Sequence, residues 1–256
     1  MPPGMPHARG ATSARGRNRP RELAEAVKDW IAEQALQPGD RLPQEKDLIT
    51  LFKASRGTVR EALKLLEAQD LIRIRTGPHG GAYVKDVSLE RASELLGNYF
   101  FFKDITLHDI YELRIRLEPD LAVSLIDIVT SEDRNELKQL MRRYDHPPAT
   151  AEEEREQRFA ELRFHERLAE LAPNPLLSFA CLFLIRLLKE LTIAHRIYAQ
   201  PQPELRAGGH NYQKQLLDAL ERKDARRVRR IMREHMKFAQ THMQAQEMVI
   251  LKRFLR

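Results

Sequence analysis

Between Ser55 and Val84 the apolar residues change period once, from helical to strand-like, and few folds accommodate such a switch in so short a stretch. Val59, Ala62, Leu63 and Leu66 fall on one helical face. Ser55 stands just before them, with a hydroxyl able to accept a bond from a free backbone N–H of the first turn. The pattern stops at Gln69-Asp70, where Asp tolerates the left-handed conformation that often closes a helix. Leu71-Ile72-Arg73-Ile74-Arg75 then alternates apolar with basic. Thr76-Gly77-Pro78-His79-Gly80-Gly81 supplies a turn, and Ala82-Tyr83-Val84 a second short strand. Upstream, Leu23, Val27, Trp30 and Ile31 recur at helical spacing from Pro20 to Leu36, and Pro38-Gly39-Asp40 breaks the chain. A short helix is expected from about Gln44 to Phe52, with Leu48, Leu51 and Phe52 inward. Three helices followed by a hairpin predict a winged helix-turn-helix over residues 20–85.

Lys85 to Ser88 reads as a linker, and everything beyond it as helix, over residues 89–102, 106–128, 131–144, 151–172, 174–199, 204–222 and 224–254. The breakers that set helix ends are His146-Pro147-Pro148, Pro173-Asn174-Pro175, Pro201-Gln202-Pro203 and Gly208-Gly209. Pro119 is expected to kink the helix that contains it. The fold class is therefore mostly α: a winged helix-turn-helix, three helices plus a β-hairpin wing, and an all-α helical bundle over residues 89–256.

A net charge of +6 says little alone; where the charge sits says more. Residues 1–19 carry Arg9, Arg15, Arg17 and Arg19 and no acid, which reads as a disordered basic tail. No charge-free apolar run is long enough to span a membrane, and the longest, Leu176 to Leu188, contains Arg186. The basic N-terminus is not followed by the apolar segment of a secretory signal. The lone Cys181 cannot form an internal disulfide and reads as a buried small hydrophobe. A cytoplasmic protein with no membrane partner is expected.

On the third helix Arg56, Arg60 and Lys64 recur every four residues beside the apolar face, with Gly57 and Thr58 in the exposed first turn. Basic side chains at the N-terminal half of such a helix can reach guanine edges or clamp phosphates. Lys46, one helix earlier, is placed for the DNA backbone, and Thr76 and Gly77 in the wing offer a hydroxyl and backbone N–H groups. A solvated helix face is the plainer reading of Arg56, Arg60 and Lys64 alone; the turn, cap and wing together favour double-stranded DNA.

Pro38-Gly39-Asp40-Arg41-Leu42-Pro43, Ser55 to Leu63, Leu65 to Ile72 and Gly80 to Val84 resemble the N-terminal domain of the GntR family of bacterial regulators. The resemblance implies DNA contacts at Lys46, Ser55, Arg56, Thr58, Arg60 and Gly77. The family usually has Arg where Lys46 stands and Gly where Asp70 stands. More loosely, residues 89–240 resemble the FCD-type C-terminal domain of the FadR-like subfamily, through Tyr111 to Pro119, Phe164-His165, Asn174 to Leu177, Leu216 to Leu220 and Met232 to His235.

That second resemblance implies a divalent metal, zinc, nickel or manganese, held by Asp-x-x-x-His and two further histidines. Here Glu161 stands for the Asp, His165 and His235 are present, and Gln213 replaces the remaining His. His210, one helical turn from Gln213, is a substitute ligand to test. Glu161 and His165 share a helix face by spacing alone, but an amide is a poor donor to such ions. Either these residues hold a metal, or they form a polar pocket for an organic ligand. The resemblance also places Arg114 where an effector carboxylate is often met; a salt bridge to a neighbouring acid is the alternative. A ligand-controlled regulator, most often a repressor, is therefore expected, acting as a homodimer on a palindromic operator and responding to a small organic acid at Arg114, His165 and His235. A metal-dependent hydrolase and a non-specific architectural DNA binder are the competing classes. The first lacks any nucleophile elbow, phosphate loop or His-Glu-x-x-His motif, so no enzyme activity is expected.

Overall fold

The computed structural model describes residues 11–77, 80–100, 102–103, 105–195 and 203–244. The chain divides between Ala92 and Ser93 into two compact units. The first contains α1 (Ala11–Glu33), α2 (Glu45–Phe52), α3 (Arg56–Ala68) and an antiparallel hairpin of β1 (Ile72–Arg75) and β2 (Gly81–Val84). Their core is Leu23, Val27, Leu48, Val59, Leu63, Leu66, Ile72 and Ala82, each nearly sealed from solvent. Ser55 caps α3 as expected, its Oγ accepting from the Thr58 backbone N–H at 3.2 Å. Asp70 takes the left-handed conformation, φ 64°, at the helix end.

Three features of this unit differ from expectation. α1 begins at Ala11 and carries Pro20 inside it, so helix takes in the second half of the stretch read as a tail. The helix-favouring Ala11, Ala14, Arg15, Arg17 and Arg19 are consistent with this, and residues 1–10 lie outside the described residues. Leu51, expected inward, is 49% exposed, because α2 buries only Leu48 fully. The segment after Gly39 does more than turn. The Leu42 N–H donates to Ala82 O at 2.9 Å and the Val84 N–H to Asp40 O at 2.8 Å, giving β2 a second neighbour. The wing tip residues Pro78 and His79 fall outside the described residues.

The second unit is all helix: α4 (Leu89–Phe100, which straddles the division), α5 (Leu107–Ser124), α6 (Ser131–Met141) with a 3-10 turn (Arg142–Tyr144), α7 (Ala151–Glu170), α8 (Pro175–His195), α9 (Pro203–Glu221) and α10 (Ala225–Gln244). Thr106 and Thr130 open α5 and α6 with capping boxes to Asp109 and Asp133, and Thr150 caps α7. α10 packs on α5 and α9, and α7 on α8. Gly208 and Gly209, read as a helix end, lie inside α9. They are there for closeness: a Cβ on Gly208 would run into the Phe238 ring, and one on Gly209 would stand 2.8 Å from Glu161 Oε1. Cys181 is buried as expected, and burial pushes its thiol up to about 12. Among the described residues no helix is long and apolar enough to cross a membrane.

Candidate DNA-reading face and buried polar site

Burying Val59, Ala62, Leu63 and Leu66 turns the opposite side of α3 to water. Arg56, Arg60 and Lys64 are all exposed there, as is Lys46 on α2. Arg56 Nε lies 3.8 Å from Glu45 Oε2, with 78% of the arginine side chain in solvent; Lys64 Nζ lies 2.9 Å from Glu61 Oε1. Such exposed pairs hold their partners weakly, at about 0–1 kcal/mol. The hydroxyls of Ser55 and Thr58 lie 2.8 Å apart at the helix start. Thr76 and Gly77 are exposed at the head of the wing, where Gly77 takes φ +99°, a conformation that favours glycine. Sequence reading had not singled out Arg41, whose guanidinium donates to Gly80 O and ties the Pro38–Pro43 segment to the turn of the wing.

The second unit gathers its charges inward. Arg114 and Glu118 sit one turn apart on α5, 2% and 3% exposed, and Arg114 Nε donates to Glu118 Oε1. Of the two readings of Arg114, the salt bridge to a neighbouring acid is present. The other Glu118 oxygen lies 2.7 Å from His165 Nδ1 on α7. A carboxylate only accepts, so Nδ1 donates in that contact and the ring turns Nε2 inward. Burial pushes Glu118 up, but the Arg114 guanidinium and His165 outweigh it and hold the carboxyl at about 2. Glu161, one turn before His165, receives a bond from Arg158 Nη1. Burial raises it as well, and Arg158 followed by His235 brings it to about 2. His235 on α10 lies 3.9 Å from Glu161 Oε1 and stacks on Tyr212, ring centroids 5.4 Å apart. Burial, with His165 opposing the pull of Glu161, lowers it to about 4, so the imidazole is neutral at pH 7.

Glu161, His165 and His235 each offer one donor atom, all within 4.8 Å of one another. The structure therefore brings together three of the four expected ligand positions, and Gln213 stands at the fourth. Its Oε1 accepts from the Tyr144 hydroxyl at 2.6 Å, which turns the amide nitrogen toward His165 Nε2 at 3.5 Å. Burial pushes the Tyr144 phenol up, so it remains the donor in that bond. His210 is not brought to the group; its ring meets Tyr144 edge-on at 6.0 Å.

This donor set fits a divalent ion poorly. The fourth position shows N–H groups rather than a lone pair. Two carboxylates are already matched by two buried guanidiniums, Glu118 by Arg114 and Glu161 by Arg158. An ion would add two uncompensated positive charges beside Arg158, at low dielectric. Arg158 is the residue that sequence reading missed. Its i, i+3 spacing to Glu161 is common on solvated helix faces, and only its burial sets it apart.

A winged helix-turn-helix joined to an all-helical domain with a buried polar cluster defines a DNA-binding transcription regulator rather than an enzyme. Residues 20–84 match the family of bacterial regulatory proteins, gntR family, and residues 109–238, half of the chain, match the FCD domain. The chain belongs to the GntR-family regulators that carry an FCD domain. It is 27% identical over 220 residues to the uncharacterized HTH-type transcriptional regulator YcbG of Bacillus subtilis, spanning 85% of this chain and 87% of that one. To the Uxu operon transcriptional regulator of Escherichia coli it is 28% identical over 170 residues, 66% of this chain and 63% of the other. A solved structure, the GntR protein of Streptococcus agalactiae, shares the fold at a TM-score of 0.59 and 19% identity, covering 87% of this chain and 99% of its own.

Proposed function

We propose that this regulator is a repressor that binds a palindromic operator as a homodimer and releases it when a small organic acid occupies the helical domain. The observation that carries the reading is the exposed stripe of Arg56, Arg60 and Lys64 on α3, set by the same helix that buries the core of its unit. Lys46, Ser55, Thr58, Thr76 and Gly77 complete the DNA-contacting set in this reading, with the helix in the major groove and the wing along the backbone. An apolar groove of about 450 Å³ runs between α4, α5 and α8, and Tyr99, Phe102, Leu113 and Leu176 are exposed on those helices and the turn after α4. Apolar surface of that extent supports a second copy of the chain as its cover. The effector acts at Arg114, His165 and His235, Arg114 working through the Glu118 carboxylate that orients His165. Metal is absent or weakly held, and the protein works in the cytoplasm. Fluorescence anisotropy with operator-bearing and random DNA at matched salt tests this reading. Equal affinity for the two would make the protein an architectural binder instead.

A further inference from the structure

α10 buries Val228, Ile231, Met232 and Met236 on one side, and its other side carries charge of one sign. Arg226, Arg230, Arg233 and Lys237 are exposed there. At 3.6 residues per turn they fall within about 60° of arc, in a row about 16 Å long. Arg229 stands beside them, and Glu234 is the only acid on the helix. Arg230 Nη1 lies 3.5 Å from Glu234 Oε1, and Arg229 is bonded to Asp120 on α5. Arg226, Arg233 and Lys237 have no ion pair among the described residues. Like charges three and four residues apart on a helix repel, and here they do so over about three turns. An exposed face under no other demand mixes its signs, as α7 does: Arg155 pairs with Glu152, and Arg163 with Glu166 and Glu170. The side chains of the α10 row flank an open groove of about 380 Å³.

We propose that this row is a second, sequence-independent contact for the phosphate backbone of duplex DNA, separate from the reading helix α3. The shape of the row, its chemistry and its lack of apolar anchors choose that partner. The row is long and narrow rather than convergent, so it matches a line of phosphates and not one small anion. Four of the five cations are arginines, whose planar fork grips phosphate oxygens in pairs. Among the described residues no large apolar side chain is exposed on α10, whereas a protein partner needs an apolar or aromatic anchor at the centre of its interface. The chain meets duplex DNA through its winged unit in any case, so even a weak second contact acts at high local concentration. It adds affinity without sequence preference, because phosphates carry no sequence information. Glu234 limits its strength by holding Arg230 within the row.

Fluorescence anisotropy of the full chain on a random-sequence duplex, titrated with salt, tests this. The triple variant Arg226→Gln, Arg230→Gln, Arg233→Gln is expected to bind that duplex about tenfold more weakly or worse at about 0.1 M salt. It should also lose about 2–3 from the slope of log affinity against log salt, since each phosphate contact contributes about 0.9. A charge-matched triple, Lys138→Gln, Arg143→Gln, Lys214→Gln, removes three exposed cations from α6, the 3-10 turn and α9 and should leave the slope as it is. Because the first triple relieves repulsion, its melting temperature should not fall. Should it fail to fold, Glu234→Gln decides: it removes the one acid of the row and should tighten random-duplex binding at low salt. An unchanged slope in the first triple, an equal loss in the charge-matched triple, or no tightening in Glu234→Gln overturns the proposal. Operator discrimination by α3 is measured separately, and stands or falls with Arg56→Ala and Arg60→Ala whichever result α10 gives.

Discussion

The arginines of α3 and those of α5 and α7 are chemically the same and are used in opposite ways. Arg56 shares a long, exposed contact with Glu45 at 3.8 Å, whereas Arg114 and Arg158 are 2% and 6% exposed and bonded to buried acids. An exposed pair contributes about 0–1 kcal/mol, so a phosphate or a guanine edge can take its cation at little loss. A buried pair is different: its attraction mainly offsets desolvation, and removing one partner strands the other. The first set is thereby kept available for an outside partner. The second set organises its own domain, each guanidinium committed to a buried acid.

Breaking the buried pair should have the largest effect. Glu118→Ala strands Arg114 and releases His165 Nδ1, and is expected to lower the unfolding free energy of the helical unit by about 3–5 kcal/mol in urea denaturation. A loss under about 1 kcal/mol would place these charges with the surface pairs. The exposed set should give the reverse profile. Arg56→Ala and Arg60→Ala are each expected to lose about 1–3 kcal/mol of operator discrimination by fluorescence anisotropy, with unfolding unchanged to within about 0.5 kcal/mol. Unaltered operator affinity in both variants would remove α3 from the DNA-reading role.

The two regions were also unequally legible in the sequence. The cap at Ser55, the left-handed Asp70 and the exposed stripe on α3 follow from residues within one turn of each other, so local rules reach them. The buried site depends on contacts between distant residues. Gly208-Gly209 looks like punctuation until Glu161 and Phe238 are known to lie against it. Arg158 looks like a surface partner of Glu161 until α9 and the 3-10 turn cover it. The Arg114–Glu118 spacing was readable as a salt bridge, but Glu118's second contact, to His165, joins two helices and left no mark on either. Gln213 does lie beside His165 Nε2, as the resemblance implies; His210 could not be placed from sequence, since one turn of a helix decides which wall it faces.

A smaller effect separates helix-end chemistry from both charge sets. The Thr130 hydroxyl and backbone N–H hold Asp133 below the ordinary carboxylate range, with Arg167 adding to them against a slight rise from burial. Thr130→Ala is expected to cost about 1 kcal/mol at pH 7. Because the native value lies below the unfolded one, this stability is present above the unfolded value of 3.8 and is lost as pH falls through the lowered native value. The gap between wild type and Thr130→Ala, followed by urea midpoint against pH, should therefore narrow in acid. A constant gap would assign the effect to the cap bond that the Thr130 hydroxyl accepts from the Asp133 backbone N–H.

The smallest expected effect is the most discriminating for α3. Glu61 and Lys64 are 58% and 62% exposed and paired at 2.9 Å, so Glu61→Gln should change stability by no more than about 0.5 kcal/mol. It also removes a negative charge from the face proposed to meet DNA and frees the Lys64 ammonium for a phosphate. Operator affinity should rise slightly at low salt. The gain should fade as the Debye length shrinks from about 10 Å at 0.1 M to about 3 Å at 1 M. If affinity falls instead, and falls most for operators with a cytosine at one position, Glu61 is accepting from that base's amino group. The pair on α3 would then be a reading pair, and the division between available cations and committed acids would have to be redrawn within the helix itself.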